Sequence, residues 1–133
     1  MTHTTELQML FCAIALGLLQ LLVSTAFNVA GRGLPYGVGP RDEPPKELGK
    51  TVSRLERAYR NLLETFPFFA GAVLLDHALG KSTPISVLGA QLYVWGRVLY
   101  VPAYVIAIPF TRTLCWTVSI VGILMVMAAV WPG

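Results

Sequence analysis

The chain has 133 residues, of which 55% are hydrophobic and 13% are charged. A soluble domain normally carries about one quarter charged residues, so this composition excludes an ordinary soluble protein and favours a membrane protein. The formal net charge is +3, and all of it falls between Gly31 and Arg60, where seven basic residues stand against four acidic ones. Because no basic face is interleaved with aromatic residues, nucleic acid is not expected as a partner.

Four apolar segments follow one another along the chain, and helices are predicted at about residues 7–30, 52–79, 84–108 and 113–131. Each reaches or approaches the roughly 20 residues that a helix needs to cross the apolar core of a bilayer. Helical spacing of apolar residues returns at about Lys50, so we expect the second helix to start in water and to run into the membrane. We therefore expect a single domain over residues 1–133, of the all-α class, folded as an integral membrane four-helix bundle.

The segment between the first two helices, about residues 31–51, is predicted to be a loop. It has no helical periodicity and contains four glycines and four prolines before Lys46, a composition typical of loops. The seven basic residues between Gly31 and Arg60 and Arg112 make eight on one side of the membrane, whereas the opposite side has only Lys81. The positive-inside rule then assigns the basic loop to the cytoplasm and both termini to the outside.

The second helix carries four polar residues on one face near its cytoplasmic end. At roughly 100° per residue, a stripe about 100° wide contains all four: Arg57, Arg60, Asn61 and Glu64. A charged side chain at membrane depth costs at least about 2.5 kcal/mol, so Glu64 should face protein, a partner charge or a wet cavity. One interpretation is an interhelical ion pair between Glu64 and Arg97 that serves packing alone.

The third helix carries a second polar stripe, about 60° wide at the same helical period. It contains Tyr93, Arg97, Tyr100 and Tyr104. Guanidinium groups bind carboxylates, an amide can bind a peptide backbone, and phenol hydroxyls both donate and accept hydrogen bonds. The two stripes together therefore suit a small, anionic, peptide-like ligand better than they suit packing alone.

These residues resemble a known family, the membrane-associated proteins in eicosanoid and glutathione metabolism (MAPEG). The resemblance rests on two patterns, Arg57-x-x-Arg60-Asn61-x-x-Glu64-x-x-Pro67 in the second helix and Arg97-x-x-Tyr100-x-x-x-Tyr104 in the third, followed by Arg112. Arg32, at the end of the first helix, falls about where the family has a further polar residue. The resemblance spans almost the whole chain, including its length, its four predicted helices and its long first loop.

The resemblance implies a homotrimer with glutathione, as co-substrate, in a cleft between neighbouring subunits. The residues that it assigns to glutathione binding are Arg32, Arg57, Arg60, Asn61, Glu64, Arg97, Tyr100 and Tyr104. Arg112 matches the arginine that activates the thiol, since an adjacent guanidinium stabilises the thiolate, which is the nucleophile. The implied activity is that of a membrane-bound glutathione-dependent transferase or peroxidase, acting with a cytoplasmic site on lipophilic electrophiles or hydroperoxides that arrive from the membrane lipid.

Two other functions fit the same sequence. In a small proton-coupled multidrug transporter, which also has four helices at this length, Glu64 would exchange protons for cations. Against this, Arg57, Arg60 and Asn61 share the face of Glu64. In a non-catalytic scaffold of the MAPEG fold, the polar stripes would serve packing, and Arg112 would have no chemical role.

Other polar and aromatic residues are predicted to have structural roles only. Asp76 and His77 lie off the polar stripe near the outer end of the second helix and are interpreted as an interfacial polar pair. Trp116 and Trp131, near helix ends, are interpreted as anchors at the membrane interface. Neither cysteine lies in a metal-ligand spacing, so no metal site is predicted.

Overall fold

The computed structural model describes residues 4–42 and 48–131. Within these ranges every regular element is a helix, in agreement with the predicted all-α class. The five helices are α1 (Thr5–Arg32), α2 (Leu34–Val38), α3 (Lys50–Leu79), α4 (Pro84–Ile106) and α5 (Thr111–Ala129). The central part of the predicted loop, residues 43–47, lies outside the described residues.

The loop contains one element that the sequence reasoning did not anticipate, the five-residue helix α2. Gly33, with φ of 88°, separates it from α1, a conformation that glycine adopts without the steric cost of a Cβ atom. Pro35 lies in its first turn, where the missing amide hydrogen breaks no helical hydrogen bond. A single turn of this kind is too short to produce the apolar periodicity by which longer helices are recognised in a sequence.

Three of the helices, α1, α3 and α5, are long and apolar enough to cross a membrane. Large apolar side chains point outward from these helices, among them Phe11 (72% exposed) and Phe68 (68% exposed). Outward-facing apolar surface on this scale is expected where lipid, not water, surrounds the helices. The fourth long helix, α4, has 23 residues, but Arg97 and three tyrosines within it lower its mean hydropathy.

The closest helix pair is α4 with α5, and glycines make this approach possible. A Cβ atom added to Gly122 would lie 2.4 Å from the carbonyl oxygen of Gly89, and one added to Gly89 would lie 2.6 Å from the carbonyl oxygen of Gly122. Small residues at helix contacts allow backbones to approach closely, which is the main source of packing energy between helices in lipid. The Gly89–Gly122 contact therefore holds α5 against α4.

The other long helices complete one packed bundle around the same core. α1 packs against α3 and α4, and α3 also contacts α5. The central apolar cluster draws residues from all four long helices: Leu10, Ala13, Leu62, Phe69, Ala72, Val73, Ala90, Tyr93, Val94, Ile123 and Val126. A smaller cluster of Ala58, Tyr100, Ala103 and Cys115 lies nearer the end at which α3 begins and α4 ends.

The connection from α4 to α5 turns sharply and sets the position of the first turn of α5. Ala107 ends α4 with φ of 60°, and Phe110 precedes α5 with φ of 68°. Residues with a Cβ atom rarely adopt this left-handed conformation, which costs about 1–3 kcal/mol per residue. The result is that Arg112, the second residue of α5, lies beside the last turns of α4.

The glycine contact between α4 and α5 yields a prediction for stability. We expect Gly122→Ala to lower the free energy of unfolding by about 1–3 kcal/mol, because the added methyl group overpacks the contact. The measurement is thermal unfolding of the detergent-solubilised protein, followed by tryptophan fluorescence. Gly17→Ala is the matched control, since a Cβ atom at Gly17 lies 3.6 Å from the Leu62 side chain, an ordinary contact. Equal stability of the two variants would contradict this account of the packing.

Candidate functional site

A cavity of about 410 Å³ is lined by α3, the last turns of α4 and the first turns of α5. Seven of the nine site residues proposed from the sequence line it: Arg57, Arg60, Asn61, Glu64, Tyr100, Tyr104 and Arg112. Its volume falls within the range of about 300–1,000 Å³ that is usual for small-molecule sites. The polar stripe of α3 and the second half of the α4 stripe thus face the same space.

The charges in this cavity are positive in sum and largely unpaired. Arg57, Arg60 and Arg112 stand against one carboxylate, Glu64, which gives a formal charge of +2. In the part of the chain that the structure describes, Arg60, Glu64 and Arg112 make no side-chain hydrogen bond or ion pair within the subunit. Charged groups placed at membrane depth without a partner are costly. Their arrangement therefore favours a ligand that supplies both anionic and cationic groups.

Tyr104 lies between two of the arginines. The guanidinium carbon of Arg57 is 5.7 Å from the centre of the Tyr104 ring, and that of Arg112 is 4.9 Å from it. Cation–π contacts at these distances are attractive and hold both guanidinium groups near the ring. On the same side, Arg54 donates a 3.1 Å hydrogen bond to the carbonyl oxygen of Val105 and so joins α3 to the end of α4.

Arg97 lies behind the cavity wall, with a side chain that is only 2% exposed. Its Nη1 donates a 2.8 Å hydrogen bond to Asn61 Oδ1, and its guanidinium carbon lies 4.2 Å from the centre of the Tyr100 ring. An ion pair between Arg97 and Glu64 was one interpretation of the sequence, and the structure has Arg97 bonded to Asn61 instead. Because the Asn61 oxygen already accepts from Arg97, the amide nitrogen of Asn61 is the group left to bind a ligand.

Tyr93, the first member of the α4 stripe, belongs to the apolar core and not to the cavity. Its side chain is fully buried, its ring stacks on Phe69 with the ring centres 4.0 Å apart, and its hydroxyl lies 3.0 Å from that of Thr65. The stripe therefore changes function along its length. Its first half packs the bundle, and only its second half, Tyr100 and Tyr104, faces the cavity.

Arg32, the last residue of α1, lies away from the other predicted site residues and contacts an adjacent face of α3 through Glu56. Its Nη1 is 3.5 Å from Glu56 Oε1, and it also donates to Asn28. This network lines a second cavity, of about 460 Å³, between α1, α2 and α3. Arg60 lines both cavities, so it marks the boundary between the two faces of α3.

Two cavity residues were not identified from the sequence, Thr113 and Trp116. Trp116 was interpreted as an interfacial anchor, yet it forms part of the cavity wall. The signal that could have revealed it is its spacing, because a residue four positions after Arg112 lies on the same helix face. Thr113 is adjacent to Arg112 and carried no pattern of its own.

The interpretation of Asp76 as an interfacial residue is wrong. Its side chain is 1% exposed and lies at the opposite end of the bundle, beside Glu6, which is also fully buried. His77, the next residue, is exposed. Glu6 is the first charged residue of the chain, and no local pattern connects it with a residue seventy positions away.

Among the described residues, no three His, Cys, Asp or Glu side chains lie close enough together to hold a metal ion.

Comparison with known proteins agrees with the resemblance read from the motifs. The chain matches the MAPEG family over residues 9–131, nearly its whole length. A search of individual curated proteins returned no match. The match includes α3, α4 and α5, all of α1 except its first turn, and every residue that lines the 410 Å³ cavity. The chain therefore belongs to the MAPEG family, whose members are membrane proteins that include glutathione transferases and related enzymes, as well as non-catalytic members.

Proposed function

We propose that this protein is a membrane-bound glutathione-dependent transferase, with peroxidase activity towards lipophilic hydroperoxides. The observation that carries the proposal is the 410 Å³ cavity, in which three guanidinium groups, one carboxylate, one amide and two phenols meet. Glutathione is a tripeptide with two carboxylates, one ammonium group and two amide bonds. Each of these groups finds a complementary one in the cavity, since carboxylates pair with Arg57 and Arg60, and an ammonium group pairs with Glu64.

Arg112 is the residue that we assign to thiol activation. A free thiol has a pKa of about 8.5, and a guanidinium group beside it favours the thiolate at neutral pH. The thiolate attacks an electrophilic carbon and displaces its leaving group. Alternatively, it attacks a hydroperoxide oxygen, which breaks the O–O bond and gives an alcohol and glutathione sulfenic acid; a second glutathione then converts the sulfenic acid to the disulfide and water. The side chain of Trp116 offers an apolar wall next to Arg112 against which a lipophilic substrate can lie.

We propose that α1, α3, α4 and α5 all cross the membrane. The mean hydropathy of α4 alone does not identify it as a membrane-spanning helix. Because α4 packs along α5, its polar residues are turned towards protein and its remaining surface towards lipid. α3 has 30 residues, a length of about 45 Å, which exceeds the roughly 30 Å of the bilayer core. The first turns of α3 then project on the cytoplasmic side, with both termini outside, as the distribution of basic residues predicts.

A homotrimer would explain why Arg32 lies apart from the other predicted binding residues. MAPEG proteins commonly form trimers. We propose that the 410 Å³ cavity of one subunit faces the 460 Å³ cavity around Arg32 of the next subunit, so that glutathione is bound between them. Cyclic symmetry with heterologous contacts brings two different faces of the chain together in this way. Arg60, at the boundary of the two faces, would then lie at the centre of the subunit contact.

The two competing functions make different use of the same residues. A cation-exchanging carboxylate requires a site of negative potential, whereas Glu64 shares its cavity with Arg57, Arg60 and Arg112. A scaffold requires its polar groups to be paired, whereas three of these four charged side chains make no side-chain hydrogen bond or ion pair with described residues. The geometry thus favours an anion-binding enzyme over both alternatives.

Glutathione is expected to stabilise the protein. A ligand that binds only the folded state adds about 2.7 kcal/mol at a concentration one hundred times its Kd, so the thermal unfolding midpoint of the detergent-solubilised protein should rise with glutathione. Arg57→Gln should reduce the rise, because it removes a guanidinium group from the cavity. Lys81→Gln, at the opposite end of the bundle, is the matched control. If glutathione has no effect and an aryl halide is not conjugated, the proposal is wrong.

Arg112→Ala is expected to lower kcat/KM roughly 30-fold at pH 7, the loss anticipated when the thiol returns to its free pKa of about 8.5. The deficit should shrink as the pH approaches about 9, because the thiol then ionises without help. Thermal stabilisation by glutathione should persist, since Arg57, Arg60 and Asn61 remain. The measurement is the pH profile of conjugation for the wild type and the variant. Equal turnover at all pH values would favour the scaffold or another thiol activator.

The shared-site arrangement can be tested at pH 7 by mixing two variants of lowered activity, Arg32→Ala and Arg112→Ala. If each site draws Arg32 and Arg112 from different subunits, random mixing restores about one quarter of the sites to wild-type composition. Co-expression should therefore recover activity that neither variant has alone. No recovery in mixed trimers would show that both arginines act within one subunit, and it would leave the proposed activity itself untouched.

A further inference from the structure

The end of the bundle opposite the candidate site contains two buried carboxyl groups in contact. Glu6, in the first turn of α1, is 0% exposed, and Asp76, in the last turn of α3, is 1% exposed. The two carboxyl groups lie within hydrogen-bonding reach of each other. They bring together helices that are distant in sequence, and neither belongs to the residues proposed for glutathione.

The hydrogen bonds around this pair are unequal. Glu6 Oε1 accepts from the hydroxyl of Ser82 at 2.8 Å and from the hydroxyl of Ser86. By contrast, Glu6 Oε2 and both carboxyl oxygens of Asp76 accept no hydrogen bond from any described residue. Two ionised carboxylates in contact repel each other and cannot donate to one another, so a buried pair of this kind holds one proton between them. The unpartnered oxygens are where that proton fits.

Local electrostatics decides which carboxyl group carries the proton. Glu6 lies at the positive end of the α1 dipole and receives two hydroxyl hydrogens, both of which favour its ionised form. Asp76 lies at the negative end of the α3 dipole and receives none. The protonated Asp76 carboxyl can donate to Glu6 Oε2 and so satisfies one unpartnered oxygen on each residue.

Apart from Glu6, the described titratable group that acts on Asp76 is the adjacent His77. On α3, the adjacent His77 is exposed. In the turn between α3 and α4, Lys81 directs its ammonium group to the carbonyl oxygen of Trp131, at 3.3 Å. The first charged residue of α4 is Arg97, and that of α5 is Arg112, both towards the other end of the bundle.

We propose that Glu6 and Asp76 form a proton-binding site, and that the bound proton stabilises the contact between the start of α1 and the α3–α4 hairpin. While the proton is held, one hydrogen bond joins α1 to α3, and the Ser82 and Ser86 hydroxyls join α1 to the start of α4. When the proton leaves to water, two adjacent carboxylates remain, and their repulsion loosens this end of the bundle. The site is independent of the proposed glutathione chemistry.

The sign of the pH effect follows from proton counting. Above about pH 5, an unfolded chain has its Asp and Glu residues largely ionised, whereas the folded protein still holds the shared proton. Stability then falls as pH rises, by about tenfold in the folding equilibrium constant for each pH unit, until the folded protein also releases the proton.

The test is thermal unfolding of the full-length protein in detergent, measured from about pH 5 to about pH 9. We expect the wild-type midpoint to fall as pH rises. Asp76→Asn should remove this part of the fall, because the amide donates to Glu6 at every pH as the protonated carboxyl does. His77→Gln, which removes the adjacent titratable group, is the matched control, and its midpoint should still fall as pH rises because both carboxyl groups remain. An unchanged slope in Asp76→Asn would overturn the proposal.

Two further measurements keep the proposal testable if Asp76→Asn does not fold. The infrared spectrum of the wild type at neutral pH should contain the band of a protonated carboxyl group, and that band should vanish at high pH; its absence at neutral pH contradicts the proposal. Sodium or calcium chloride should leave the wild-type slope unchanged beyond the effect of potassium chloride at equal ionic strength. If either ion specifically abolishes the slope, the site binds a metal cation, and the proton proposal is wrong.

Discussion

The hydrogen bond from Arg97 to Asn61 is the interaction on which the candidate site depends most directly. It joins α4 to α3 beneath the cavity, and the same guanidinium group stacks on Tyr100. A guanidinium group removed from water in this way is tolerable only when its partners are fixed. One buried charge therefore aligns both walls of the cavity, with Asn61 held on one side and Tyr100 on the other.

This constraint separates the residues that support the site from those available to a ligand. Arg97 makes its contacts within the protein, whereas Arg60, Glu64 and Arg112 make no side-chain hydrogen bond or ion pair with described residues. A guanidinium or carboxylate group that packing alone required would be expected to have a partner inside the subunit. These three side chains lie at one end of the bundle, whereas the opposite end buries Glu6 and Asp76.

The sequence predicts those parts of the molecule that depend on local periodicity. The 3.6-residue repeat placed Arg57, Arg60, Asn61 and Glu64 on one face of α3, and these four residues line one cavity. The same repeat could not say that Tyr93 faces the core, because a stripe indicates a face of the helix and not what lies opposite each of its residues. The burial of Asp76 depends on a contact with Glu6, seventy positions earlier, which no local pattern records.

The cavity also constrains how the protein can exist in a membrane. Its lining carries a formal charge of +2 on helices whose other outward surfaces are apolar. Lipid cannot solvate these charges, so the opening must face water or another polar protein surface. The neighbouring face of α3 offers such a surface, with Arg32 and Glu56 already paired and Arg60 at its edge. A second copy of the chain, rotated about an axis normal to the membrane, would cover one face with the other. In that arrangement the proposed oligomerisation and the proposed ligand binding would have one physical cause, the need to keep the same charges out of lipid.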